Sequence, residues 1–317
     1  MITLFKYYSH LNKDYFLNPN LKICCTKNLN DPFESKVDSE LTKLMLSKSK
    51  PVASKKNVLD LSEVIKQIQM EASLEQLGVI SLTETPRNIL MWSHYANQHK
   101  GLCVGYKSDI FDELKSKTHE NLPTLFTPEK VNYDSCRYDE FTDCFCIDDP
   151  IELKKQILSK NLLTKSNEWI YEKEYRAIIP MEYHDKIICI GDRKAESYVK
   201  QFSKFHPNEL SAESDTELKI KSLKSPKSLK TKGLRALKDL SDEKDIIIAM
   251  SIKPSDITSI YFGCNSDKNF ANEIYEETQT NQALSHIKVY IVEPSHTKFE
   301  LIFTPYESYD HYEQYDC

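Results

Sequence analysis

Three short and widely spaced stretches gather the side chains whose chemistry could build a site. The first is Asn30-Asp31-Pro32-Phe33-Glu34. Asn and Asp bond readily to nearby backbone, and Pro32 fixes the following turn, so the stretch reads as a strong turn with Phe33 pinned to the core. It reads equally as a pocket wall, with two carboxylates around a buried aromatic at a strand end. The second stretch is Met91-Trp92-Ser93-His94-Tyr95-Ala96, followed by Lys100-Gly101. On a helix Met91, His94 and Tyr95 share a face, while Trp92 points elsewhere. A helical histidine is most often a hydrogen-bonded core or surface group. With Trp92, Tyr95 and Ser93 as neighbours, His94 or Tyr95 on a cleft would instead offer a stacking surface for a ligand. The third stretch is Trp169-Ile170-Tyr171-Glu172-Lys173-Glu174-Tyr175-Arg176. Strand alternation puts Ile170, Glu172, Glu174 and Arg176 on one face. That row is either an exposed ion-pair ladder or a carboxylate oriented by arginine, able to hold a ribose hydroxyl or stabilise an oxocarbenium-like centre.

The elements that must position these groups follow from periodicity and stop signals. Strands are expected at Ile2–Tyr8, Leu21–Thr26, Val79–Leu82, Leu102–Tyr106 and Trp169–Pro180, the last with a continuation at Ile187–Ile190. Later strands fall at Ile246–Ile252, Ile257–Phe262 and Ile287–Val292. A helix over Val58–Leu77 has Val58, Leu61, Val64, Ile65, Ile68, Ala72 and Leu77 mostly on one face, with Gly78 as a left-handed stop. Ser47–Lys56 before it reads as a loop. Thr85-Pro86 and Asp149-Pro150 each give a helix start with proline at the first helical position, and a further helix falls near Asp267–Thr278. Strands and helices mix without a regular βαβ rhythm. The expected class is α+β, with a mixed, mostly antiparallel sheet core and flanking helices in a single domain over residues 1–317. With six glycines, no G-x-G-x-x-G or Walker A pattern occurs, which disfavours a Rossmann or P-loop enzyme.

Composition narrows the classes. The 317 residues are 40% hydrophobic and 28% charged, enough for a real core. A net charge of −6 and a pI near 5.9 argue against a whole-protein grip on nucleic acid or an anionic membrane. No stretch approaches the roughly 20 apolar residues of a membrane helix, and the N-terminus lacks the pattern of a signal peptide. A cytoplasmic protein is expected. The nine cysteines include no Cys-x-x-Cys pair, and several sit in apolar runs, so they read as small buried hydrophobes of a reducing compartment rather than a metal site.

One region departs from the rest. Residues 203–244 read as a charged insertion. Within it Lys219, Lys221, Lys224, Lys227, Lys230, Lys232, Arg235 and Lys238 are not interrupted by any acid. The segment is either a solvated insertion or a basic arm that touches phosphate on a nucleic acid or cofactor.

Taken in order, Lys6-Tyr7, Asn30–Glu34, Met91–Tyr95 with Lys100-Gly101, and Trp169–Arg176 resemble the bacterial DUF2971 family, from about residue 2 to Gly263. That family name implies no activity. The same motif order also resembles ADP-ribosyltransferase-like toxins and defence proteins. The second resemblance implies an ADP-ribosyltransferase-like fold and NAD as a substrate, with ADP-ribose moved to a macromolecular target in antiviral defence or toxin action. It implies Glu174, or else Glu172, as the catalytic carboxylate, with His94 beside them. Lys6, Tyr7, Asn30, Asp31, Phe33, Trp92, Tyr95 and Arg176 would be the cofactor contacts. Lys6 stands where that superfamily has His or Arg. Two other readings stay open: a metal-dependent enzyme acting on nucleic acid through Asp31, Glu34, His94 and the Glu172/Glu174 row, and a non-catalytic binding or sensor module.

Overall fold

The computed structural model describes residues 2–48, 57–139, 147–190, 210–212, 217–220, 243 and 246–307. Its strands, in chain order, are β1 (Thr3–Tyr8), β2 (Asn20–Lys22), β3 (Cys24–Cys25), β4 (Leu77–Thr83), β5 (Leu102–Lys107), β6 (Leu125–Lys130), β7 (Asn132–Asp134) and β8 (Thr164–Ser166). They continue as β9 (Glu174–Pro180), β10 (Lys186–Cys189), β11 (Leu210–Ala212), β12 (Glu217–Ile220), β13 (Ile246–Ser251), β14 (Ile257–Phe262), β15 (Lys288–Pro294) and β16 (Leu301–Pro305). The helices are α1 (Asp14–Leu17), α2 (Ser39–Lys48), α3 (Asn57–Leu74), α4 (Ile89–Tyr95), α5 (Pro150–Leu163) and α6 (Lys268–Thr280).

Among the described residues the main sheet has nine strands in the order β16-β15-β14-β5-β1-β4-β9-β6, with β3 added alongside β4. All its pairings are antiparallel except β14–β15, so the α+β class with a mixed, mostly antiparallel sheet holds. A second sheet, β11-β12-β10-β13-β2, packs on one face of the first. Leu21, Ile187, Ile248 and Met250 from this sheet meet Leu4, Ile80, Val104 and Ile179 of the main sheet in the larger core. The opposite face carries two smaller cores. Met70, Leu74, Leu153, Ile157 and Leu162 of α3 and α5 cover Val79 and Ile178. Trp92 and Ala96 of α4 cover Phe5, Tyr7 and Cys103.

Several expectations shift for identifiable reasons. Leu21–Thr26 is not one strand: β2 pairs with β13 in the second sheet, and β3 pairs with β4 in the first, so this segment passes between sheets. Gly78 is no helix stop but a buried residue of β4. A Cβ there would lie 2.0 Å from Ile23 Cγ2 and 2.6 Å from Met181 Sδ, so the side chains packed against this position leave room for glycine alone. Helix α3 shows a different face from the one its apolar spacing implies. Val64, Ile65, Ile68 and Ala72 are exposed, whereas Met70 and Leu74 are buried. Gln67 turns the same way as these two, giving its amide to the Val37 carbonyl at 2.9 Å and accepting from Thr42 Oγ1 at 2.5 Å. Ser47 and Lys48 belong to α2, and 49–56 lie outside the described residues.

The Asp149-Pro150 start is as expected, with the Asp149 carboxylate accepting from the amides of Ile151 and Glu152. Thr85-Pro86 is not the start of α4. Asn88 caps it, three residues on, by accepting from Leu90 N and Met91 N, while its Nδ2 donates to the Tyr171 carbonyl. Asn88→Ala should therefore cost more than the ~1 kcal/mol typical of a lost cap, because a tie between segments goes with it. A urea-unfolding midpoint shift corresponding to less than half of that would contradict the assignment. After α4, Asn97, Gln98 and His99 all take positive φ (47, 55 and 66°), turning the chain back into β5 at Gly101.

Cys25, Cys103 and Cys189 are buried as expected of small hydrophobes, whereas Cys136 and Cys264 are exposed. Cys144, Cys146 and Cys317 lie outside the described residues, as do Lys221 to Lys238 of the basic series and most of 203–244; Lys219 falls in β12. No helix among the described residues is long and apolar enough to cross a membrane.

Candidate functional site

A cleft of about 550 Å³, its open mouth included, lies beside α4, over strands β1, β4 and β9 of the main sheet. The three distant sequence stretches supply most of its polar wall. Phe5, Lys6 and Tyr7 come from β1, Leu29, Asn30 and Glu34 from the turn after β3, Met91 and Tyr95 from α4, and Lys165, Glu172, Glu174 and Arg176 from the segment around β8 and β9.

At its floor is a closed ionic network. Arg176, 1% exposed, grips Glu174 with Nε on Oε1 at 2.8 Å and Nη2 on Oε2 at 2.9 Å. The same guanidinium pairs with Glu34, and its Nη1 donates to the Leu162 carbonyl at 2.7 Å. Lys165 Nζ reaches Glu172 Oε2 at 2.5 Å and Glu174 Oε2 at 3.3 Å, while lying 4.4 Å from the centre of the Trp169 ring. Nearer the surface, Tyr95 donates to Glu172 Oε1 at 2.5 Å and accepts from Asn30 Nδ2 at 2.7 Å. Tyr133 accepts the Glu174 backbone N–H at 2.7 Å, holding the start of β9 in place.

Local backbone explains how Glu172 and Glu174 come together. Residues 167–172 form a 3-10 helix rather than a strand, with Ser166 capping it, and Lys173 then takes a left-handed conformation (φ 46°, ψ 50°). Only from Glu174 does the chain alternate as a strand. The predicted row is thus corrected: Ile170 is exposed and outside it, and Glu172 enters the cleft through the turn at Lys173.

The network sets two carboxyls apart. Burial alone would raise Glu174, but Arg176 and Lys165 outweigh it and hold the carboxyl at about 2. At Glu34 burial prevails over the same two cations and Glu174 adds to it, so this carboxyl is pushed up. Burial would lower Lys165, yet Glu174 and Glu172 raise it and keep it charged. Burial also lowers the Lys6 ammonium, against the attraction of Cys24 and Glu174. Tyr95 is raised by burial and by its bond to Glu172.

These shifts have opposite consequences for stability. Glu174 lies below its ordinary 4.5, so its stabilisation, about 3 kcal/mol, is present above pH 4.5 and lost as pH falls toward 2. Glu34 lies above 4.5, so the folded state takes up a proton first and gains stability as pH falls toward 4.5. The stability gap between wild type and Glu34→Gln should therefore shift in favour of wild type between pH 7 and pH 4.5. Urea midpoints that move in parallel for both proteins would refute this.

Other expected contacts are placed differently. Trp92 is 0% exposed, its ring at 5.2 Å and 90° to Tyr7 and its N–H donating to the Pro86 carbonyl at 2.7 Å, so it is core and not a stacking surface. His94 is exposed and does not line the cleft, its ring 6.4 Å from Tyr95 and 6.5 Å from Tyr171. The turn Asn30–Glu34 inverts its expected pattern. Phe33 is 57% exposed, while Asp31 and Glu34 are buried. Asp31 Oδ1 takes the Phe33 N–H at 2.9 Å, and Glu34 is drawn in by Arg176. Asp31 and Phe33 line a neighbouring hollow of about 580 Å³, which shares Glu34 and Lys165 with the cleft and has Arg137 lying 6.0 Å over the Phe33 ring. Tyr7 lines the cleft but spends its hydroxyl on the Thr85 carbonyl at 3.0 Å.

Sequence reading missed Lys165 altogether. The available signal was charge balance, since three acids converging in a buried place require more than one cation. Among the described residues no group of three or more His, Cys, Asp or Glu is arranged to hold a metal ion; Glu34, Glu172 and Glu174 face cations instead.

Comparison with known proteins adds one match. Residues 91–177 fit the family model described as Protein of unknown function (DUF2971). No curated protein and no solved structure matches the chain. The matched stretch runs from Met91 in α4 to Ala177 in β9 and so holds Tyr95, Lys165, Glu172, Glu174 and Arg176, whereas Lys6, Asn30 and Glu34 lie before it. The similarity to the DUF2971 family therefore spans residues 91–177.

Proposed function

We propose that the cleft acts at the anomeric carbon of a ribosyl donor, with NAD as the donor and a macromolecule as the acceptor, in the manner of an ADP-ribosyltransferase-like enzyme. The observation that carries this reading is the pair Glu34 and Glu174. They share one guanidinium, yet their surroundings lower the Glu174 carboxyl and raise that of Glu34 at the floor of an open cleft. Environments that push two carboxyls apart are the usual mark of divided roles in glycosyl chemistry.

In this scheme the bond between ribose C1′ and the nicotinamide nitrogen breaks, and its electron pair leaves with neutral nicotinamide. The positive charge left on C1′ faces Glu174, which stays ionised far below neutral pH. An acceptor oxygen or nitrogen then bonds to C1′ and gives its proton to Glu172, beside Tyr95. Arg176 has its donors committed to Glu174, Glu34 and Leu162, so its part is to orient the carboxylate rather than to hold a phosphate.

Incubation with NAD labelled in its adenylate half, together with protein or nucleic-acid acceptors, tests the proposal. Nicotinamide release with label on an acceptor is the expected result. Intact NAD and unlabelled acceptors after long incubation would end it.

A further inference from the structure

Three cations reach the cleft, and one differs from the others. Lys165 and Arg176 are held by carboxylates. Lys6 gives Nζ to the Ser81 carbonyl at 2.8 Å, and among the described residues no carboxylate lies within ion-pair distance of it. β1 pairs with β4 at Phe5↔Thr83, and beyond that point the Lys6 side chain spans to the neighbouring strand where backbone pairing stops. Its remaining N–H groups are uncommitted.

A second group with an uncommitted polar atom lines the same cleft. Glu34 is 2% exposed, and while its Oε1 is held by Arg176, its Oε2 accepts no hydrogen bond among the described residues. A buried polar atom without a donor calls for a partner, and at a cleft wall a ligand is the available one.

We propose that Lys6 is the reactive amine of this cleft and, with Glu34 as proton donor, forms a Schiff base with a short aldose or hydroxy-ketone. As the free amine, Nζ adds to the carbonyl carbon, and one of its protons passes to the former carbonyl oxygen. The Glu34 carboxyl protonates that hydroxyl and water leaves, giving a protonated imine on Lys6 and a carboxylate at Glu34. Burial favours both starting forms, the neutral amine and the neutral carboxyl. Asn30, Tyr95 and Glu172 offer partners for the ligand's hydroxyl groups, and Phe5 and Met91 offer apolar contact for its carbons. The step does not depend on NAD cleavage.

The test uses the full chain with glyceraldehyde, and separately with ribose 5-phosphate, in the presence of cyanoborohydride. The reductant turns any imine into a stable secondary amine, and peptide mass mapping locates it. Lys6 should be labelled at least about tenfold faster than the exposed lysines, as expected for a desolvated amine beside an acid. Glu34→Gln should slow Lys6 labelling, and Lys6→Arg should abolish the fast phase. Label spread over lysines by exposure, with Lys6 unexceptional in the wild-type map, overturns the proposal even if Lys6→Arg fails to fold. A Lys6 adduct without NAD loss upholds this inference and sinks the ribosyl-transfer reading; NAD loss without an adduct does the reverse.

Discussion

Replacing Arg176 with methionine is expected to destabilise the protein by about 3–5 kcal/mol, the cost of leaving buried carboxylates without their cation. The guanidinium is almost wholly buried and spans Glu174, Glu34 and the Leu162 carbonyl. Methionine fills a similar volume but offers no donors. Among the described residues Glu174 would keep Lys165, Ser81 and its backbone tie to Tyr133, and Glu34 would lose its ion pair with Arg176. Because the cost comes from stranded charge rather than lost packing, adding Glu174→Leu to Arg176→Met should recover part of it. Urea unfolding of the single and double variants decides the matter. A single variant within about 1 kcal/mol of wild type would mean the network is solvated and is not a buried ionic floor.

Glu174→Gln is expected to reduce NAD cleavage by about 10²–10³-fold, the usual effect of removing one electrostatic partner of a developing charge. Glutamine keeps the shape and can still accept from Arg176, so the loss should appear in kcat with KM little changed. The substitution also acts on Glu34. The Glu174 charge is one cause of the raised Glu34 carboxyl, so with glutamine in its place Arg176 and Lys165 draw Glu34 toward its ionised form. The two acids form one unit, and Glu34→Gln combined with Glu174→Gln should fall short of the product of the single losses. Retention of more than about a tenth of the activity in Glu174→Gln would remove Glu174 from the chemistry.

The family match bears on how this site is assembled. It begins at Met91 and ends at Ala177, so it contains the helix residue Tyr95 and the whole Lys165–Arg176 segment. Lys6 and Glu34 enter from β1 and the turn after β3, ahead of that stretch. The ionic floor therefore joins a part of the chain that the family model describes to a part that it does not cover. Glu34 is the link, since it meets Arg176 in the cleft and also lines the adjoining hollow beside Phe33.

Local pattern alone determined a good deal. β1, β4, β5, β13, β14 and β15 were legible as apolar runs, because such strands are buried wherever they fall in the sheet. Asp149 and Asp267 marked their helix starts, because a cap is a bond between residues two or three apart. The motifs around Asn30, Tyr95 and Glu174 were also visible, and they do share a cleft.

Only the tertiary structure decided which side chains in those motifs face it. Trp92 and Phe33 exchanged their expected places, one going to the core and the other to the surface, and Glu34 was buried in spite of its charge. Burial of a carboxylate depends on a cation that arrives from 142 residues further along the chain, at Arg176, and no local rule reports such a partner. Lys165 was hidden for the same reason: its lysine is ordinary in sequence and acquires its role from two acids brought beside it by the 3-10 turn and the left-handed Lys173. Hydrophobic period is a property of neighbours along the chain, whereas an ionic network is a property of neighbours in space.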